Sequence, residues 1–252
     1  MDDEFQLIIN ANEFTSLRVL DIRDCRLNDD ATFRAIRKLN ALEDLRFSAS
    51  HFPQPLVGWE GVGRFTHWEL PSAITAGQVA ELFPRPSSRL RSLSGVGPTV
   101  LPQHPRVLAE CAEALTDICL SVSNMGTEKF QILVAAESMK TLRRLHAFSC
   151  SLDDEAVGTL IASGPQSLVE LDLCYNDLTS KSVVELANWK GIEHVVFLNL
   201  SANRPFNHDA YRALLESPYL DPVKLELGPI DDDKIADALV DRFGDGVKFG
   251  RG

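Results

Sequence analysis

One spacing governs how this chain can fold. Apolar residues recur at offsets 0, 3 and 5, then a small or polar turn residue at offset 8 and another apolar residue at offset 10. In "LVELDLCYNDL" these are Leu168, Leu171, Leu173, Asn176 and Leu178. The same offsets recur at Leu17 ("LRVLDIRDCRL"), Leu115 ("LTDICLSVSNM"), Leu142 ("LRRLHAFSCSL") and Val195 ("VVFLNLSAN"). Weaker copies begin at Leu42, Phe65, Leu90 and Pro222. The nine starts are 23 to 27 residues apart, so the register never slips by more than a few residues.

Each part of the motif has a physical job. The apolar-x-apolar centre alternates with period two, which makes a short strand with one face inward. Asn or Cys at offset 8 turns the chain out of the strand and can satisfy buried turn backbone that has no ladder partner. The remaining dozen or so residues must bring the chain back. Most of these returns read as helices: "HPRVLAECAEA" with Pro105 in its first turn, "TEKFQILVAAES" with Thr127 as cap, and "DDEAVGTLIASG" (153–164). "TSKSVVELANWKG" is expected to start at Ser180 and stop at Gly191, "NHDAYRALLES" (207–217) reads the same way, and "DDDKIADALVDRFG" stops at Gly244. A strand–turn–helix unit of this length cannot bury its leucines alone. The units must stack, with strands in one parallel sheet and helices on its outer side.

These offsets, the Asn/Cys alternation and the helical return resemble the ribonuclease-inhibitor-like class of leucine-rich-repeat proteins over residues 17–249. The tail "ALVDRFGDGVKF" (238–249) resembles the ending of many bacterial proteins of this repeat type. The resemblance implies an α/β leucine-rich-repeat solenoid of about nine repeats, curved, with a concave sheet face, and a general role in protein binding. Short repeats and few cysteines set it apart from the vertebrate inhibitors, so ribonuclease inhibition is not implied. The chain is expected to be one domain: an N-terminal cap over 1–16, repeats over 17–230, and a C-terminal helix and cap over 231–252. Alternation of Phe5, Leu7 and Ile9 predicts a short opening strand, and that of Val247 and Phe249 a closing one.

Offsets 2, 4 and 6 project from the concave face. They define the candidate partner-binding residues: Asp44, Arg46, His67, Glu69, Asp117, Arg144, His146, Phe148, Glu170, Asp172, Phe197 and Asn199. The irregular segment "SASHFPQPLVGWEGVG" (48–63), rich in Pro and Gly, is a second candidate, against the reading that Trp59 plugs the core.

The expected function is non-enzymatic binding of a protein partner, with no cofactor and no metal. The Walker, zinc-protease and nucleophile-elbow patterns are absent. "DDD" (231–233) lacks the rest of a calcium loop and suits a helix cap. Two alternatives stand beside binding: an enzyme using His146 and Cys174 on the concave face, and a subunit docking through its N-terminal edge. The net charge of -11 sets the chain against nucleic acid. The excess lies in residues 111–252, with 13 Lys/Arg against 22 Asp/Glu, which favours a basic partner. The acidic start "MDDEFQLIIN" lacks a signal-peptide pattern, no run is long enough to span a membrane, and the five cysteines form no C-x-x-C; a cytoplasmic monomer with reduced thiols is expected.

Overall fold

The computed structural model describes residues 14–22, 30–46, 53–70, 75–95, 105–120, 125–221 and 223–250. The predicted opening strand at Phe5–Ile9 and the positions Arg23, Cys25, Leu27, Ser48, Phe52, Pro71, Val96, Ser121, Ser123 and Pro222 lie outside them.

Ten strands form one open, all-parallel sheet, and they join it in chain order from β1 to β10. They are β1 (Val19–Asp21), β2 (Asp44–Arg46), β3 (His67–Leu70), β4 (Ser92–Gly95) and β5 (Asp117–Cys119), then β6 (Arg144–His146), β7 (Glu170–Asp172), β8 (Phe197–Asn199), β9 (Lys224–Leu227) and β10 (Val247–Phe249). Between them run α1 (Asp30–Ile36), α2 (Ala76–Leu82), α3 (Pro105–Glu110), α4 (Gly126–Val134), α5 (Asp154–Ser163), α6 (Ser180–Ala187), α7 (His208–Glu216) and α8 (Asp233–Phe243). The protein is therefore α/β, with helices alternating with neighbouring parallel strands.

The offset-3 residues set the register. Leu20, Leu45, Trp68, Leu93, Ile118, Leu145, Leu171, Leu198 and Leu225 pair in one continuous row, which ends on Val247. From Leu45 to Leu225 they are buried, as are the offset-0 residues Leu42, Phe65, Leu90, Leu115, Leu142, Leu168 and Val195. Helices close the other side of this core with Phe33, Val79, Leu108, Phe130, Leu160, Leu186 and Leu214. Each fully buried leucine contributes about 2 kcal/mol, and only because its neighbours in the next unit are in place.

The turns after the strands hold the units together. Asn176 is buried and its side chain makes five hydrogen bonds to backbone. Its Oδ1 accepts from Cys150 N and Leu152 N, both at 3.0 Å, in the preceding unit. Its Nδ2 donates to Ala147 O at 2.8 Å, Leu173 O at 3.0 Å and Cys174 O at 3.2 Å. Asn203 repeats the pattern one unit later: it accepts from Leu178 N at 3.1 Å and donates to Leu173 O and Leu200 O, both at 3.0 Å. Cys150 occupies the same offset and its thiol donates to Leu120 O at 3.0 Å. The residue just before each turn residue is left-handed: Ser149, Tyr175 and Ala202 have φ of 52°, 54° and 52°. That conformation costs about 1–2 kcal/mol per residue for a side chain with Cβ, and the asparagine hydrogen bonds offset it.

The returns differ in detail from what the sequence predicts. Thr179 rather than Ser180 caps α6, accepting from Lys181 N at 3.2 Å, and the helix ends at Ala187 before a 3₁₀ turn over Lys190–Ile192. Thr127 lies inside α4, where its hydroxyl accepts from Asp153 N of the next unit at 3.3 Å. Helix α3 is six residues long and stops at Glu110. There the chain forms an isolated parallel bridge, with Ser87 N donating to Cys111 O at 2.9 Å and Glu113 N donating to Ser87 O at 3.1 Å. Asp232 of the "DDD" run caps α8, and Gly244 stops it at φ 68°. In the Pro/Gly-rich segment, 3₁₀ turns over Gln54–Leu56 and Glu60–Arg64 present Trp59 to the core, half-buried and edge-on to Phe65 with ring centroids 5.9 Å apart.

Replacing Asn176 with Ala strands two buried N–H groups and removes a donor from three carbonyls. Asn176→Ala is expected to lower the unfolding free energy by about 3 kcal/mol, against about 0.5 kcal/mol or less for the exposed Asn188→Ala, read from urea unfolding.

Candidate functional site

Alternate strand residues point away from the helices, and their register builds rows across the open face of the sheet. One row runs Val19, Asp44, His67, Ser92, Asp117, Arg144, Glu170, Phe197, Lys224. A second runs Glu69, Ser94, Cys119, His146, Asp172, Asn199, Glu226, Lys248. Ten of the twelve candidate residues fall in these two rows; Arg46 lies on β2 opposite Asp21, and Phe148 lies just beyond β6.

Charge on the face is mostly answered from the next strand. Arg144 pairs with Asp117 and Lys248 approaches Glu226 at 3.5 Å across strands, while Lys224 approaches Glu226 along its own strand at 3.6 Å. Arg46 pairs with Asp44 on its own strand at 2.8 Å, and His67 Nδ1 meets the Ser92 hydroxyl at 2.7 Å. Such cross-strand pairs are what hold adjacent strands in register on an exposed face. Two candidates are less available than their offsets imply: Asp44 and Asn199 are buried, at 8% and 7% exposure. Asn199 and Asp172 also serve the strand exits. Asp172 Oδ1 accepts from Cys174 N at 3.0 Å, and Asn199 Oδ1 accepts from Ser201 N at 3.1 Å and from the Ser201 hydroxyl at 2.7 Å.

The densest chemistry surrounds His146 on β6. Its ring Nε2 lies 3.2 Å from Glu170 Oε2, and Cys119 is its register partner on β5. The hydrogen bond with Cys119 raises the His146 pKa most; burial works against it, and the Glu170 hydrogen bond and the Asp172 charge add to it, leaving a net rise. The histidine thus meets Cys119 and Glu170, whereas the alternative enzyme site expected from the sequence joins it to Cys174. Cys174 is buried, and burial together with Asp172 pushes its thiol well above the ordinary range, which suits a core group and not a nucleophile. Burial pushes Cys111 up to about 12.

Phe148 and Phe197 each have a partner of their own. Phe148 stands edge-on to Tyr175, with ring centroids 5.1 Å apart, and Phe197 lies under Lys224 Nζ at 5.0 Å. Tyr175 is the residue that strand alternation missed. Its left-handed backbone places it beyond the period-two pattern, and it is 60% exposed. The proximity of Tyr175 to the turn residue Asn176 was the available signal, because offset 7 carries the same conformation at Ser149, Tyr175 and Ala202. Among the described residues no group of three or more His, Cys, Asp or Glu is arranged to hold a metal ion.

No protein-family model matches the chain, and neither does any curated protein.

Two outcomes follow from this geometry. The His146 pKa is raised above its ordinary 6.5, so its protonated form contributes stability that is complete below about 6.5 and disappears as pH rises through the folded value. The stability gap between the native chain and His146→Gln is therefore expected to shrink as denaturation is repeated from about pH 5.5 to about pH 9. Among the four described thiols, Cys119 is half-buried and the other three are buried. Iodoacetamide followed by peptide mass mapping is expected to modify Cys119 in the native state, and Cys111, Cys150 and Cys174 only after unfolding.

Proposed function

We propose that the protein is a leucine-rich-repeat solenoid of the ribonuclease-inhibitor-like type, working as a non-enzymatic protein-interaction module that binds its partner on the open face of the parallel sheet. One observation carries this reading. Parallel sheets are normally covered on both faces, yet here helices cover one face, while Arg144, Lys224 and Lys248 on the other keep half or more of their side chains exposed. Pairing those charges within and across strands keeps a wide parallel sheet soluble without a second helical layer, and it leaves a broad polar surface with aromatic anchors at Tyr175 and Phe197. Aromatic anchors within a charged rim are the composition of an interface hot spot.

A thiol-enzyme reading through Cys174 has less behind it, since Cys174 is withdrawn from solvent, and the thiol that meets His146 is Cys119. The four described cysteines are free, which supports a reducing compartment, and we place the protein in the cytoplasm as a monomer. No helix among the described residues is long and apolar enough to cross a membrane.

The test begins with proteins captured by the native chain from host lysate, each then purified and titrated against Glu170→Lys/Tyr175→Asn. Asn at 175 keeps the left-handed backbone comfortable, so the fold is preserved. Dissociation constants are expected to rise at least about tenfold, with no change for Asp237→Lys/Asp241→Lys on α8. Unchanged affinity for every captured protein removes the open face as the binding surface.

A further inference from the structure

The helix side carries a second feature that the offsets do not predict. A groove of about 1020 Å³ lies along α3 and α4 and reaches Thr159 on α5. It exists because α3 is cut short: the Ser87–Ala112 bridge straightens the chain after Glu110, where α4 runs for nine residues and α5 for ten. The missing turns leave space that neighbouring helices would otherwise fill.

Two helical stripes line it. From α4 come Glu128 and Ile132, with Ala135 at its C-cap, spaced four and three residues apart and so on one helix face; from α3 come Ala109 and Glu110. The floor is small and apolar, with Ala109 and Ala112 buried, and Ile132 stands over it 40% exposed. The rim is acidic. Glu110, Glu113 and Glu128 are exposed and have no ion-pair partner among the described residues, while Glu137 is neutralised by Lys140 at 2.7 Å. Arg106 is the single basic residue among the described lining. The open sheet face answers its charges internally; this groove does not.

We infer that the groove is a docking site for an amphipathic helix of a partner protein, one that lays a small apolar face on the alanines and Ile132 and sets Lys or Arg against Glu110, Glu113 and Glu128. Alanines on the floor let a helix backbone approach closely, and the exposed carboxylates on both walls select cationic flanks. The site is separate from the open sheet face, and the inference stands without the function proposed above.

A synthetic Leu/Lys peptide of about 16 residues, long enough to form a helix in isolation, is the probe, with its Leu/Glu counterpart as control. It is titrated by fluorescence anisotropy against the full chain at fixed salt. The Lys peptide is expected to bind and the Glu peptide not. Affinity is expected to fall about tenfold in Glu113→Lys/Glu128→Lys and in Ala135→Arg. It is expected to hold in Asp237→Lys/Asp241→Lys, which removes the same charge elsewhere, and in Glu170→Lys on the sheet face. Amide shifts on the native chain give a readout free of any folding defect, and they are expected at 109–113 and 128–136. Absence of binding, equal loss in the α8 variant, or shifts confined to the sheet face would each overturn the groove as the site; the last of these would leave the sheet-face proposal intact.

Discussion

Everything in this molecule depends on satisfying backbone that leaves a parallel strand for a buried turn. A two-residue hairpin solves that problem for antiparallel strands, but parallel strands need a crossover, and those that leave β6 and β7 begin at the buried Cys150 and Asn176. The five hydrogen bonds of Asn176 meet the need, and they reach into the preceding unit as well as their own. The same side chain that closes one turn therefore also fixes the position of the turn before it. Left-handed residues before the turn are tolerated because these bonds hold them, and Tyr175 is thrust into solvent as a result.

Once the turns are locked, register follows. A single row from Leu20 to Val247 runs through all ten strands, and the residues on either side of it fall into rows on the opposite face. A row of like charges would push the strands apart. Instead Asp117 meets Arg144, Glu170 meets His146, and Glu226 lies between two lysines. These exposed pairs each contribute little; their larger effect is to make a bare sheet face compatible with water. The surface proposed for binding and the face's compatibility with water thus draw on the same residues.

The helix side follows a looser rule. Its returns need only cover the core and lead back to the sheet, so their lengths vary. Where α3 gives way to a bridge, the covering layer thins and a groove opens between acidic walls. Interruption of the regular pattern, rather than the pattern, is what shapes this surface.

Period-two alternation inside a recurring offset is local chemistry, so the strands, their buried positions and the outward direction of Arg144, Glu170 and Phe197 were legible from the residues alone. The cap at Asp232 and the stop at Gly244 were legible for the same reason, since both depend on side chains a few residues away. Partners across strands were not. Whether His146 meets Cys119 and Glu170 or Cys174 depends on side-chain direction in a folded sheet, and offsets are silent on that. Burial of Asn199 and Asp44, exposure of Tyr175, and the early end of α3 likewise arise from contacts between units 20 or more residues apart. The repeat determined which side chains face inward, because burying leucine is a demand each unit makes in the same way. Tertiary packing alone decided which outward groups touch and where the covering layer opens, because those outcomes depend on the neighbours that stacking supplies.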